Sequence, residues 1–314
     1  MSIVIKFSGY QGERSVHTRA AVVFCESVRR YSSGSISVEF EPNIVLRGNK
    51  AADLLSQTEN GQIDGCYFSS SYLADRVPEL RLFDQHFVVP DRLHAYAVLD
   101  GSLGDRLATE VQSATGLSVL GYWDNGLRHI SSAARLIRSP ADCIGLKIRC
   151  LNSEDHRRVF RSLGFEAISI DVRDLPDAVT NGLVDAQENP LTNMYNFGLH
   201  KIQKNITLTR HLLGVAPVFF NKASVAGWPH EVREIVRSAV TDATESQRLF
   251  AVEDDRICKQ AMEREGCEFI SLSEHERNGF ALACEKEVAK TRSDFSQELI
   301  GLFNADMASV SKLN

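Results

Sequence analysis

The 314-residue chain has no apolar run approaching the roughly 18 residues that cross a bilayer, so no membrane-spanning helix is expected. Its start, Met1-Ser2-Ile3-Val4, lacks the positive region and apolar stretch of a secretory signal. Two expectations stay open: a mature form renumbered from a new methionine, or a chain that never leaves the cytoplasm. Basic runs are missing too. Lys plus Arg number 35 against 41 Asp plus Glu, a formal net charge of -6, which argues against nucleic acid as a partner. No GxSxG elbow, GxxxxGK[ST] loop, GxGxxG fingerprint or HExxH helix occurs, so no catalytic residue and no cofactor are expected. The 7 cysteines form no CxxC pair, and no metal is expected. Most of them read as buried small hydrophobes, and their odd number weighs against an oxidising compartment. The 9 histidines are scattered; His17, His129, His200 and His211 are the ones a site would use, and each reads first as a surface or core residue.

What is present is an alternation of strand-length apolar runs with segments of helical period, the pattern of βαβ units on a mostly parallel sheet. The spacing predicts strands over Ile3–Phe7 and Ile36–Phe40 around a helix over His17–Tyr31, whose Ala20, Phe24 and Val28 share one face. A helix over Asn49–Gln57, a strand over Asp64–Phe68, a helix over Ser102–Gln112 and a strand over Ser118–Tyr122 follow. Trp123-Asp124-Asn125-Gly126 reads as a turn and as the first crossing between two lobes. A second set runs from the strand Lys147–Cys150 through the helices Glu154–Leu163 and Asp174–Asn181 to the strand Val184–Ala186. Val218–Asn221 reads as a returning strand. A helix from Trp228-Pro229 to about Glu265 would be roughly 50 Å long and reach across both lobes. A short strand from Glu268 to Leu272 and a charged helix from Glu274 to about Phe303 complete the pattern.

Three stretches put polar residues at strand ends, where ligands bind in open α/β sheets: Asn125-Gly126-Leu127-Arg128, Gly145-Leu146-Lys147-Ile148-Arg149, and Gly182 to Pro190. An inward Arg149 needs an anion to offset its desolvation, and a guanidinium fork suits a carboxylate better than an ammonium does. Two sources of that anion stay open here, a ligand or an internal partner such as Glu188.

These stretches, in this order, resemble the DctP-type solute-binding proteins of tripartite ATP-independent periplasmic (TRAP) transporters. The likeness rests on Pro140-Ala141-Asp142-Cys143-Ile144-Gly145-Leu146-Lys147-Ile148-Arg149 and on Gly182-Leu183-Val184-Asp185-Ala186-Gln187-Glu188-Asn189-Pro190, and spans nearly the whole chain. It implies a two-lobed, periplasmic-binding-protein-like α/β fold with mixed sheets, a central cleft and a long helix spanning both lobes. The lobes expected are 1–125 with 213–252 and 126–212 with 253–314. It further implies a periplasmic, monomeric receptor, not an enzyme, that closes on a small organic acid anion and delivers it to membrane permease subunits. The alternative is a sensor of the same fold that signals to a regulatory partner. Carried over by residue, Arg149 is the carboxylate clamp, Arg128 the second cleft arginine and Asn189 a hydrogen-bonding asparagine, with Asn152 and Val172 on the wall. Tyr10, Ser69 and Ser70 are expected from the first lobe. The chain departs from the family at Asp174-Leu175-Pro176-Asp177 and at Val172, where some acid-sugar binders carry an aromatic residue.

Overall fold

A computed structural model describes residues 3–310. Met1 and Ser2, which open the leader reading, and residues 311–314, which end the second expected lobe, lie outside the described residues. The described residues divide into two compact units: 3–78, 104–125 and 215–254 form unit 1, and 79–103, 126–214 and 255–310 form unit 2. The expected first lobe included residues 79–103; they fall in unit 2, where Asp306 accepts from the backbone N–H of Leu103 at 2.8 Å and fastens this segment to the C-terminal helix.

Among the described residues the strands are β1 Ile3–Ser8, β2 Ile36–Glu41, β3 Gly65–Tyr67, β4 Leu117–Ser132, β5 Lys147–Cys150, β6 Glu166–Ser169, β7 Ala186–Pro190, β8 Asn205–Asn221 and β9 Glu268–Ser271. Strands β4 and β8 contribute one end to each unit.

Unit 1 is a sheet of β2, β1, β3 and the end of β8, parallel except where Cys66 of β3 faces Phe219 of β8. Period-two alternation in β1 buries Ile5 and Phe7, which pack with Phe24 and Val28 of the helix Val16–Tyr31 and with Trp123 and Phe220. Each such side chain contributes on the order of 2 kcal/mol of burial. Ser15 caps the helix by accepting from the His17 N–H at 3.1 Å.

Unit 2 orders β4, β7, β5 and β6, with β4 antiparallel to β7 and β5 parallel to both neighbours; the start of β8 pairs with β9. Ile130, Ile148 and Ala186 lie on one face of this sheet and pack on Val159, Phe160 and Phe280. The helices Glu154–Ser162 and Glu274–Ser293 supply that cover because their apolar positions recur at helical spacing.

Several local expectations are corrected. Trp123 to Gly126 continues β4 instead of turning, because Trp123 is fully buried in the unit 1 core and Asp124 pairs through its backbone with Gln247 at 2.8 Å. The helix expected over Asn49–Gln57 starts later, at Asp53–Glu59, after a 3-10 turn at Ile44–Arg47. The final helix is two, Glu274–Ser293 and Gln297–Ser309, because Ser296 caps the second through the Leu299 N–H. Val218–Asn221 is the end of the 17-residue β8, and the helices Arg92–Leu99 and Leu191–Asn196 had no counterpart in the sequence reading. The long helix runs His230–Arg264, 35 residues, its residues divided between the units at Asp254.

Candidate functional site

Strand β5 alternates. Lys147 is exposed, Ile148 enters the core, and Arg149 is buried with 1% of its surface accessible. Arg149 stands opposite Gln187 on β7 and Ile168 on β6, and its Nε–H donates to the Ile170 carbonyl at 2.9 Å. That bond fixes the plane of the guanidinium, so the fork of its terminal nitrogens is held in one orientation. Gln187 in turn faces Ser131 of β4, which places Arg149, Gln187, Asn189 and Ser131 on the sheet face opposite Ile148.

Arg128 is equally buried, and its carboxylate partner is internal. Its Nη2 lies 2.7 Å from Glu188 Oε1 and donates to the Glu188 carbonyl at 2.8 Å, while its Nε–H donates to Glu188 Oε2. Glu188, the internal partner held open for Arg149, thus pairs with Arg128. Burial alone raises the Glu188 carboxyl, but the Arg128 charge and a hydrogen bond from His211 outweigh it and hold the group well below the usual carboxylate range.

Three buried histidines pack around this pair. His211 lies 3.3 Å from Glu188 Oε2 through Nε2 and 2.7 Å from Thr209 Oγ1 through Nδ1. Since a carboxylate only accepts, His211 carries its proton on Nε2 and accepts the Thr209 hydroxyl on Nδ1. His86 stacks on His211 with centroids 5.5 Å apart and meets His156 edge-on at 4.6 Å; Asp84 lies 3.7 Å from His156 Nε2. Burial lowers the pKa of His86 and His211, and that of His129, which accepts from the Arg210 N–H.

Asn189 is buried beside Arg128, while Asn152 is exposed after β5 and Val172 is half-buried in the turn before the helix Leu175–Thr180. That helix contains most of the Asp174–Asp177 stretch that departs from the family pattern. In unit 1, half-buried Tyr10 packs against Tyr67 and Phe68, with ring centroids 5.6 and 5.0 Å apart. Ser69 and Ser70 follow β3 and are buried, and the Ser70 hydroxyl has no hydrogen-bond partner among the described residues. Also in unit 1, His17 sits between Asn125 Oδ1 at 3.0 Å and Gln247 Nε2 at 3.2 Å, and its burial lowers its pKa to about 4. Structure therefore groups Arg149, Arg128 and Asn189 on adjacent strands of unit 2, and Tyr10 with the segment leading to Ser69 and Ser70 in unit 1.

The sequence reading did not find the His86–His156–His211 cluster, the pairing of Glu188 with Arg128, or the buried chain from Gln187 through Ser131 to Gln203. The available signal was β7 itself: Gln187, Glu188 and Asn189 are consecutive polar residues on a strand whose five residues are all buried. Such a strand requires a partner for every polar group.

The fold that carries these residues is that of the TRAP periplasmic solute-binding proteins. The solved structure from Ochrobactrum anthropi, whose C-terminus is bound in its ligand-binding pocket, superimposes with a TM-score of 0.91 at 26% identity, covering 100% of this chain and 97% of that one. The structure from Sulfurospirillum deleyianum, with bound succinate, gives 0.87 at 26% identity over 97% and 99% of the two chains. Residues 7–294 match the family described as bacterial extracellular solute-binding protein, family 7, or DctP, and the chain belongs to it. Among curated relatives, the 2,3-diketo-L-gulonate-binding periplasmic protein YiaO of Escherichia coli is 30% identical over 269 residues, 86% of this chain and 80% of that protein. The C4-dicarboxylate-binding periplasmic protein DctP of Rhodobacter capsulatus is 30% identical over 305 residues, 95% and 88% of the two chains. No helix among the described residues is long and apolar enough to cross a membrane.

Proposed function

We propose that this chain is the extracytoplasmic receptor of a TRAP transporter, that it binds a small organic acid anion through Arg149, and that it delivers the anion to membrane permease subunits. The observation that carries the reading is the buried Arg149, oriented by the Ile170 carbonyl at 2.9 Å, at the end of the Gly145-Leu146-Lys147-Ile148-Arg149 stretch. A guanidinium held this way presents two parallel donors, which match the two oxygens of a carboxylate. Asn189 joins Arg149 as a polar ligand contact, and Arg128, tied to Glu188, lends shape and a donor more than net charge. Asn152, Val172, Tyr10, Ser69 and Ser70 are proposed as further contacts. Closure on the ligand, the motion expected for this family, is proposed as the means of capture, and the chain carries out no reaction of its own.

Relatives with differing cargoes support the acid class. YiaO is named for 2,3-diketo-L-gulonate, the Rhodobacter protein for C4-dicarboxylates, and the Sulfurospirillum structure holds succinate. A thermal-shift screen over C4-dicarboxylates, sugar acids and related carboxylates tests the proposal, because a ligand that binds only the folded chain raises its melting temperature. A set of such acids that leaves the midpoint unmoved while binding only neutral sugars or cations raises it would refute the reading.

A further inference from the structure

We propose that Gln203, Ser131 and Gln187 form a positioning relay that sets the side-chain amide of Asn189 to read a hydroxyl beside the ligand's carboxylate, so that 2-hydroxy acids are favoured over their deoxy counterparts. The inference rests on the acid-receptor reading above and adds the ligand feature that reading leaves open.

The relay is continuous and buried. Asn189 Nδ2 donates to Gln187 Oε1 at 2.5 Å, Gln187 Nε2 donates to Ser131 Oγ at 2.7 Å, and the Ser131 hydroxyl donates to Gln203 Oε1 at 2.8 Å. Asn189 is 2% exposed and the other three are fully buried, so water does not substitute for any link. Amide groups and a hydroxyl could in principle run such a chain in either direction. Arg128 decides it. Its Nη2 lies 3.4 Å from the terminal atom of Asn189, and because a guanidinium only donates, that atom is the oxygen. At the far end Gln203 Nε2 is buried without a partner, so nothing there imposes the opposite direction.

The consequence for recognition follows from counting hydrogens. One Nδ2 hydrogen of Asn189 is committed to Gln187, which leaves a second Nδ2 hydrogen next to an Oδ1 whose two contacts, Arg128 and the Asn193 amide, are both long at 3.4 Å. Asn189 therefore offers one donor and one acceptor side by side. It lies two residues along β7 from Gln187, the residue opposite Arg149, and so is a diagonal neighbour of the carboxylate clamp on the same sheet face. A carboxylate oxygen with a hydroxyl on the next carbon supplies the matching acceptor and donor. A methylene in that place would leave Oδ1 without its strongest partner.

The experiment is calorimetric titration of the full chain with paired acids, malate against succinate and D-gluconate against 2-deoxy-D-gluconate. The hydroxylated member of at least one pair is expected to bind about tenfold or more tightly. Asn189→Ala should abolish that preference, and Ser131→Ala should reduce it several-fold while having no further effect in the Asn189→Ala background, a coupling that mere loss of packing would not produce. Ser131→Thr keeps the hydroxyl and should restore the preference. Should Ser131→Ala fail to fold, Gln203→Leu is expected to show the same coupling to Asn189. Equal affinity within every pair that binds, or a preference that survives Asn189→Ala, overturns the proposal and leaves the acid-receptor reading standing. Failure of every acid to bind overturns that reading itself, and this one with it.

Discussion

Glu188 and Arg128 are diagonal neighbours on paired antiparallel strands, and they form a two-pronged ion pair, Nη2 to Oε1 2.7 Å, with almost no surface exposed on either side chain. Each charge is tolerable only because the other is there. Arg128→Ala should therefore destabilise the protein by about 3–5 kcal/mol, whereas the double replacement Arg128→Met with Glu188→Leu should fall much nearer the wild type. Urea denaturation of the three proteins checks this; equal losses in the single and double variants would contradict it.

Arg149 is expected to dominate ligand affinity. Arg149→Ala should weaken binding of the acid found in the screen by about 3 kcal/mol or more, over a hundredfold, because the carboxylate loses its fork in a buried setting. Arg149→Lys should also bind weakly, since one ammonium does not reproduce two parallel donors. Titration showing both variants within about threefold of wild type would remove Arg149 from the role.

Stability should fall on mild acidification. His17, His86, His129 and His211 are all held below the ordinary histidine value of 6.5 by burial, His17 at about 4. Above pH 6.5 both folded and unfolded chains leave them neutral, so they cost nothing. As pH drops below 6.5 the unfolded chain takes up protons that the folded chain refuses, and stability is lost at up to about 1.4 kcal/mol per pH unit for each group. For His17 the loss levels off near pH 4. Denaturation at pH 7.5, 6.0 and 5.0 measures the slope, and His86→Phe, which keeps the ring stack without the titrating group, should flatten it.

Gly126 has φ of 87°, and a Cβ there would lie 2.4 Å from the Cβ of Pro190. Gly126→Ala should cost upwards of about 2 kcal/mol, from the left-handed backbone and the clash together. Gly145 also has a positive φ, 80°, but open space around it, so Gly145→Ala should cost less, about 1 kcal/mol. Similar melting points for the two variants would show that the approach to Pro190 relaxes.

The legibility of this chain follows how local each signal is. Ile3, Ile5 and Phe7 alternate and Ala20, Phe24 and Val28 recur at helical spacing, so β1 and the first helix stood out within a residue or two. Trp123 to Gly126 misled because glycine, asparagine and aspartate are turn residues by local preference; the burial of Trp123 under the helix His230–Arg264 is a contact between distant segments. Arg149 stood out at the end of its strand-length stretch, whereas Asn189 was expected only through the family resemblance. The pairing of Arg128 with Glu188 could not be read, because 60 residues separate them and only the register of β4 on β7 brings them together. The same holds for Ser131 and Gln203, 72 residues apart, whose hydroxyl and amide carry no pattern of their own.

Burial also decides how the thiols behave. Cys66, Cys143 and Cys284 are pushed up to about 12 by desolvation, Cys150 to about 11, and half-buried Cys25 likewise to about 12. Attack on an oxidant or an alkylating reagent proceeds through the thiolate, which is scarce at neutral pH for groups so shifted. An oxidising medium would thus find these five sulfurs slow to react, and in the folded protein they should resist iodoacetamide or peroxide.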